Sequence, residues 1–145
     1  MTIGDELAAT LPRLRAMAES LMRDTVKVER IAGKPDPESG EAPRTQVYPV
    51  ESTPAKWKRG LGGIGKVQTY EAHDTVREVV GATVTTQRYR VDVPVGSFAP
   101  AEGDIVTILA AALDPNLRGR TYRVEALLHK TAATAYRLQV SEVLP

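Results

Sequence analysis

The sequence contains no cysteine and no long apolar run. The missing cysteine excludes a disulfide scaffold, a thiolate nucleophile and a cysteine-ligated zinc site. No stretch approaches the ~20 consecutive apolar residues that a membrane-spanning helix needs. The N-terminus carries Asp5 and Glu6 and has no Lys or Arg before Arg13, which is not the pattern of a secretory signal. We therefore expect a protein that is made in the cytoplasm, stays there unless something carries it out, and has no membrane partner.

A strong charge of either sign and abundant aromatic residues are also missing. Lys and Arg total 19 against 18 Asp and Glu, which gives a formal net charge of +1. A dedicated nucleic-acid binder usually carries a strongly basic domain, so this balance argues against that class but permits a local basic patch. The 145 residues are enough for one domain with its own core and too few for two.

One segment near the N-terminus has the periodicity of an amphipathic helix. Its apolar residues recur at steps of four and three, at Leu7, Leu11, Leu14, Met17 and Leu21. Pro12 disfavours a helix interior, so we predict a regular helix over residues 11–22 with a less regular turn before it. The apolar stripe can pack on the rest of the domain, which is the commoner arrangement, or contact a neighbouring subunit.

Most of the remaining chain alternates between apolar and polar residues, which is the pattern of half-buried strands. We predict strands within residues 24–31, 45–57 and 75–93, and three more between residues 103 and 144. A Gly- and Pro-rich loop separates the first two. The residues expected in the core are Val26, Val28, Ile105, Ile108, Tyr122, Val124, Leu138 and Val140.

These elements predict a mainly β protein. About six strands, one helix and long inter-strand loops fit a small antiparallel β-barrel or sandwich with an N-terminal α-helix. A single domain would span residues 1–145, with a helical segment over 1–23 and a barrel over 24–145. A flexible loop is expected at about residues 58–74.

A glycine-rich stretch lies between basic residues. Gly60, Gly62 and Gly65 formally match the G-x-G-x-x-G pattern of dinucleotide-binding sites. That mechanism needs a buried strand before the glycines and a helix after them. Here Lys-Trp-Lys-Arg precedes them and the strand-like Val-Gln-Thr-Tyr-Glu follows. The context does not fit a dinucleotide site, and we predict no cofactor.

We predict instead that this stretch is a mobile, positively charged loop. It is either the solvent-exposed tip of a hairpin or a loop that meets phosphates or a partner protein. The residues that would serve the second role are Lys58, Arg59, Gly60, Gly62, Gly63, Gly65 and Lys66.

Residues suited to catalysis or metal binding do not group along the sequence. The two histidines, His73 and His129, have no second ligand at short spacing. The acidic loop around residues 36–41 lacks the ligand spacing of an EF-hand. No set of nucleophile, base and orienting residue is visible either. We therefore predict a protein that is not an enzyme and has no metal site.

Several segments follow one another in a recognisable order. They are the helix end and first strand Leu-Met-Arg-Asp-Thr-Val-Lys-Val-Glu-Arg (21–30), the turn Asp-Pro-Glu-Ser-Gly-Glu (36–41), Gly-Asp-Ile-Val-Thr-Ile (103–108), Ala-Ala-Leu-Asp-Pro-Asn-Leu-Arg-Gly-Arg-Thr-Tyr-Arg-Val (111–124) and His-Lys-Thr-Ala-Ala-Thr-Ala-Tyr-Arg-Leu-Gln-Val (129–140). This order resembles the head-to-tail connector proteins (head closure or stopper proteins) of long-tailed bacteriophages, particularly those of actinobacterial phages. The resemblance covers nearly the whole chain, is strongest from Gly103 onward and is weakest over residues 56–74.

The resemblance implies a ring, usually of twelve copies, at the neck of the virion. The portal or its adaptor would lie above the ring and the tail terminator or tail tube protein below it. Such a ring retains packaged DNA and offers a platform to the tail. In relatives a long inter-strand loop projects into the channel, and the candidate here is residues 60–66. Copies of Lys58, Arg59 and Lys66 would then surround the genomic DNA with positive charge.

Two other classes of function remain in view. One is a monomeric barrel of the OB or SH3-like kind that binds nucleic acid non-specifically. Against it, the strands lack a cluster of exposed aromatic residues for base stacking, because Tyr89, Tyr122 and Tyr136 are predicted to face the core. The other is a small enzyme, which the inventory of residues disfavours.

Overall fold

The computed structural model describes residues 2–69, 75–79, 82–86, 89–128 and 132–143. In this part of the chain the helix α1 spans Ile3–Ser20. The strands are β1 (Asp24–Ile31), β2 (Arg44–Tyr48), β3 (Lys58–Arg59), β4 (Gly62–Thr69), β5 (Thr75–Val79), β6 (Ala82–Thr86), β7 (Tyr89–Val93), β8 (Ile105–Ala110), β9 (Thr121–Leu128) and β10 (Tyr136–Glu142). Short 3₁₀ helices occupy Ala55–Trp57 and Pro115–Leu117.

Six of the strands close into an antiparallel β-barrel. The order around the barrel is β1, β8, β9, β10, β7 and β4, and β4 pairs back onto β1. The closing pairs are Asp24 with Gly65, Thr25 with Ile64 and Val26 with Gly63. Strand β2 extends the sheet beside the second half of β1, and the two-residue β3 extends it beside β4. The predicted mainly β class with an N-terminal helix is confirmed.

The barrel interior is filled by side chains from all six strands. Every predicted core residue is buried: Val26, Val28, Ile105, Ile108, Tyr122, Val124, Leu138 and Val140 are at most 5% exposed. All but Ile105 belong to one packed cluster, together with Tyr48, Val91, Val93 and Val106. Ile105 lies three residues before Ile108, so strand alternation places it on the opposite face of β8, and Val106 takes the inward position.

An ion pair fastens the loop before β8 to the barrel. The Asp104 side chain is only 1% exposed, and its two oxygens accept from Arg30 Nε at 2.9 Å and Arg30 Nη2 at 3.0 Å. Asp104 also accepts from the Ala101 backbone amide. This bidentate geometry offsets the burial of the carboxylate, because each of its oxygens has a charged donor.

The helix begins two turns earlier than the sequence predicted. Thr2 and Asp5 form a reciprocal capping box, in which Thr2 Oγ1 accepts from the Asp5 amide and Asp5 accepts from the Thr2 amide. This cap satisfies amides that would otherwise lack partners at the first turn. Pro12 lies inside the helix, and the Ala8 carbonyl that would accept from residue 12 belongs to an exposed residue. Water can satisfy that carbonyl, so the proline is tolerated.

A second, smaller apolar cluster lies outside the barrel at the end of α1. It consists of Met22, Trp57, Ile64 and Ala135. Ile64 alternates with the inward-facing Gly63 and Gly65, so its side chain points away from the barrel interior. The cluster joins the segment after the helix to the outer surface of β4. The predicted strand over residues 45–57 is shorter than expected, because β2 ends at Tyr48 and a turn leads to this cluster.

Candidate functional site

The glycine-rich stretch is a hairpin in the barrel wall, so of the described part of the loop predicted over about residues 58–74 only the exposed turn at Gly60 and Leu61 is a loop, and residues 62–69 form a strand. Strand β3 leads through a turn at Gly60 and Leu61 into β4, and β4 pairs with β1, β3 and β7. Only the turn is free of strand pairing. Gly62, Gly63 and Gly65 are buried within the sheet. Of the predicted flexible segment 58–74, residues 70–74 lie outside the described part of the chain.

The glycines of β4 are needed because other side chains occupy the space where theirs would be. A Cβ atom at Gly63 would lie 2.5 Å from the Tyr48 ring, and one at Gly65 would lie 2.9 Å from the Val26 side chain. Tyr48 is fully buried and its hydroxyl donates to the Ile64 carbonyl at 2.7 Å. Moving the ring aside would therefore cost stability. Strand β4 can lie against the ring because Gly63, which has no side chain, stands at the point of contact. These glycines serve barrel closure rather than phosphate binding.

The three predicted cations lie at two separate places. Lys58 and Arg59 are exposed on the short edge strand β3. Lys58 Nζ donates to the Glu51 carbonyl at 3.0 Å, and Arg59 Nη1 donates to the Arg23 carbonyl at 2.9 Å. Both therefore hold neighbouring segments while keeping their charge at the surface. Gly60 lies in the turn with φ at +60°, a conformation that glycine adopts without strain.

Lys66 belongs to a charged row on the outer face of the barrel. It pairs across the sheet with Asp92, and Asp92 pairs with Arg137 on its other side. Arg90 Nε lies 2.9 Å from Asp92 Oδ1, while the aligned hydrogen bond runs from Arg90 Nη2 to Asp92 Oδ2 at 3.3 Å. Burial raises the pKa of the Asp92 carboxyl, and the charges of Arg90, Arg137 and Lys66 act in the opposite direction. The row leaves an excess of positive charge on this face.

A hairpin interrupts the barrel between two strands that are direct neighbours. Strands β4 and β7 pair from Lys66–Asp92 to Thr69–Tyr89. The chain between Thr69 and Tyr89 contains β5 and β6, which form a two-stranded sheet of their own in a register from Thr75–Thr86 to Val79–Ala82. The barrel wall is therefore complete without this segment. The sequence indicated β structure here but gave no sign that these strands lie outside the barrel.

The helix carries apolar residues that nothing in the described chain covers. No residue of α1 is buried, and Ile3, Leu7, Met17 and Leu21 are exposed to 85%, 45%, 58% and 62%. Leu11, Leu14 and Ala18 are half-buried and form the side that meets the rest of the protein. Of the two arrangements that the sequence left open, packing on the domain accounts for only part of the stripe. Ile3 was not assigned to the stripe, although it lies four residues before Leu7.

Several predicted features cannot be placed. His73 and His129 lie outside the described residues. Within the described ranges, no three acidic or histidine side chains come together as metal ligands. Among the same residues, no helix is long and apolar enough to cross a bilayer.

Comparison with known proteins assigns the chain to a family. A family model described as a family of unknown function, DUF6093, matches residues 14–141. No curated protein and no solved structure gives a significant match. The matched range begins within α1 and covers the barrel up to Ser141, one residue before the end of β10. The chain belongs to the DUF6093 family.

Proposed function

We propose that this protein is a structural component of the neck of a tailed bacteriophage virion. In this role its copies form a ring between the portal or adaptor and the tail, retain packaged DNA and provide the platform on which the tail docks. The observation that carries the proposal is the hairpin β5–β6, which leaves and re-enters a closed barrel between adjacent strands. The order of segments that resembles head-to-tail connectors supports it independently.

The hairpin replaces the glycine-rich stretch as the candidate for the channel. In the connectors that this chain resembles, an inter-strand loop projects into the channel, and such a loop must not be needed to hold the domain together. The segment after Gly62 does not meet this condition, because β4 closes the barrel. The segment between Thr69 and Tyr89 does meet it, because the strands on either side pair directly with each other.

Ring symmetry also fits the charge of the chain. A single copy has a formal net charge of +1, which is too little for strong binding to DNA. Repeating a small cationic patch around a ring would concentrate positive charge on a polyanion without a basic domain. Retention of DNA needs no contact with base edges, since phosphate contacts carry no sequence information.

A monomeric nucleic-acid-binding barrel is the second candidate. The outer row of Lys66, Arg90 and Arg137 around one carboxylate favours it, because a basic strip on a barrel wall can follow a phosphate backbone. Titration of the isolated protein with single- and double-stranded DNA separates the two functions. Tight binding by the monomer that weakens steeply with salt supports the barrel, and weak binding supports the ring.

Counting the protein in purified phage particles tests the neck assignment. Quantitative mass spectrometry would compare its copy number with that of the major capsid protein. A small fixed number in DNA-filled and tailed particles is expected. Absence from particles would exclude a virion role and leave the soluble nucleic-acid binder as the better account.

Two variants identify the element that meets DNA. In the first, the segment between Thr69 and Tyr89 is replaced by Asn-Gly, since a two-residue turn suits directly paired antiparallel strands. In the second, Lys58, Arg59 and Lys66 are changed together to Ala. Both variants are expected to fold, and DNA loss from particles is expected for the first. DNA loss caused by the second variant alone would show that Lys58, Arg59 and Lys66, and not the hairpin, retain the DNA.

A further inference from the structure

The first half of α1 projects from the protein as a free tip. Residues 2–10 are all exposed, and half-buried positions begin only at Leu11. At about 1.5 Å per residue the eight helical residues from Ile3 to Thr10 extend about 12 Å. Without packing, so short a helix is marginal in water. The capping box of Thr2 and Asp5 stabilises its first turn, so the tip stays helical although none of the residues that the structure describes covers it.

The exposed apolar residues of α1 and of its C-cap, together with the half-buried Leu14, follow the spacing of a helix that packs against a partner. Positions 3, 7, 10, 14, 17 and 21 are separated by steps of four and three, which places them along one line on the helix. Five of the six are apolar, namely Ile3, Leu7, Leu14, Met17 and Leu21. The neighbouring side, with Leu11 and Ala18, meets the barrel, and the half-buried Leu14 lies at the border between the two sides. The helix thus has two apolar sides, of which its own barrel uses one.

An apolar groove lies on the barrel surface beside the middle of α1, where Arg15 Nε donates to the carbonyl of the lining residue Ala133 at 3.0 Å. It is lined by Ala99, Pro100, Leu127, Leu128, Ala133, Ala135, Tyr136, Arg137 and Leu138. Its volume of about 280 Å³ is below the ~300–1,000 Å³ typical of sites for small organic ligands. A groove of this size suits one or two apolar side chains. Among its described lining residues, only Arg137 is charged.

The tip and the groove are complementary in charge as well as in polarity. Asp5 and Glu6 lie beside Ile3 and Leu7, and residues 2–10 contain no basic residue. The Glu6 carboxylate makes no hydrogen bond or ion pair with any described residue, since the hydrogen bonds of Glu6 are made by its backbone. The Arg137 guanidinium lies at the groove and donates no hydrogen bond to a described residue, although its charge also acts on Asp92, which Arg90 and Lys66 share. An acidic, apolar tip therefore matches an apolar groove with a cation at its rim.

We propose that the α1 tip of one copy inserts Ile3 and Leu7 into the groove of the next copy, with Glu6 facing Arg137. The two surfaces are different patches of one chain, so the contact is head-to-tail, and repeated head-to-tail contacts close into rings when the rotation permits. This inference rests on the proposed ring and names the contact that builds it. The occupant of the groove is a second copy of this chain rather than a small molecule.

Mixing of two variants tests the contact. The tip variant is Ile3→Asp with Leu7→Asp, and the groove variant is Ala99→Glu with Leu128→Glu. Each places charge against an apolar surface, and each is expected to weaken self-association by about a hundredfold or more. The matched control is Leu61→Asp, because Leu61 is 92% exposed in the β3–β4 turn, far along the chain from both surfaces. Thermal unfolding of each variant verifies that it is folded.

Mass photometry and sedimentation velocity give the outcome over a range of concentrations. We expect the wild type and the control to associate, and each variant alone to be monomeric. An equimolar mixture of the two variants should form a one-to-one dimer and nothing larger, since one intact tip meets one intact groove. A mixture that remains monomeric, or a wild type that remains monomeric at high concentration, overturns the contact.

The test is separable from that of the proposed function. A protein counted at the neck whose tip and groove variants still associate refutes only this interface. A protein that shows the predicted mixing behaviour and is absent from particles refutes only the neck assignment.

Discussion

The barrel and the helix use their apolar residues in opposite ways. In the barrel, Val26, Val91 and Tyr122 are completely buried, and each strand of the closed wall is paired on both sides. In α1 no residue is buried, and its apolar side chains are exposed by up to 85%. The barrel thus buries its own apolar residues, whereas the helix carries apolar residues that no described part of the chain covers. Stability should therefore reside in the barrel and association in the helix.

The largest effect should follow from charge placed inside the barrel. Val124 is 1% exposed, and Val124→Asp would bury a carboxylate without a partner. We expect the variant to be unfolded at room temperature, as measured by circular dichroism. The control Arg123→Asp changes the neighbouring exposed residue on the other face of β9 and should alter stability by no more than about 0.5 kcal/mol. A natively melting Val124→Asp protein would show that the barrel is not the stable unit.

Closure of the barrel should be the next most sensitive feature. Gly63→Ala would bring a methyl group to 2.5 Å from the Tyr48 ring, which is fixed in the core. We expect a loss of about 3 kcal/mol in the free energy of unfolding by denaturant titration. Gly60→Ala is the matched control, since a methyl group at Gly60 would have no other atom within 4 Å. The only expected cost is the strain of an alanine at a positive φ. This strain should cost about 1 kcal/mol; equal losses at the two glycines would refute the packing explanation.

Tyr48 should make the free energy of unfolding of the barrel depend on pH in the alkaline range. Burial raises the pKa of Tyr48 above its ordinary value, and burial does the same for Tyr122. Above pH 10 the unfolded tyrosine ionises while the native one does not, so the free energy of unfolding falls as pH rises. Tyr48 contributes a loss of about 1.4 kcal/mol by pH 11, and Tyr122 contributes in the same direction.

The variant Tyr48→Phe isolates this contribution. At pH 7 it should be less stable by about 1 kcal/mol, because the hydrogen bond to the Ile64 carbonyl is lost. Between pH 9 and pH 11 it should lose less stability than the wild type. Parallel pH profiles for the two proteins would mean that Tyr48 ionises freely in the native state.

The smallest effect is expected at the helix tip. The change of Ile3 and Leu7 to Ser should alter the free energy of unfolding by no more than about 0.5 kcal/mol, since both side chains are exposed. Differential scanning calorimetry on a dilute sample measures this without association. A large loss would show that the tip packs on its own barrel and would remove the contrast between the two regions.

The sequence predicted the barrel strands well because their alternation is local. Tyr122 and Val124, or Leu138 and Val140, identify an inward face from a few residues alone. The start of the helix was predicted too late because the prediction gave more importance to Pro12 than to a helix-capping pattern at the N-terminus. Thr2 and Asp5 have the spacing of a capping box, and Ile3 continues the apolar line.

The glycine-rich strand could not be predicted in the same way. Clustered glycines indicate loops and turns, and their intrinsic preference disfavours strands. Here the strand is imposed by the ring of Tyr48 and the side chain of Val26, which lie far away along the chain. The strand-like residues from Val67 to Thr69 were the one local sign, and they did mark the end of β4. The groove and the separate β5–β6 sheet depend on which strands pair in the folded chain. A local sequence pattern therefore cannot predict them.

The direct pairing of Thr69 with Tyr89 also has a consequence for variation within the family. Because Thr69 and Tyr89 are paired, the segment between them is a closed loop. The entropy cost of closing such a loop grows only slowly with its length. Insertions and deletions in this loop should therefore be nearly neutral for folding. We expect relatives to differ in length here more than anywhere else in the barrel, and the same loop should accept a peptide tag or a fluorescent label.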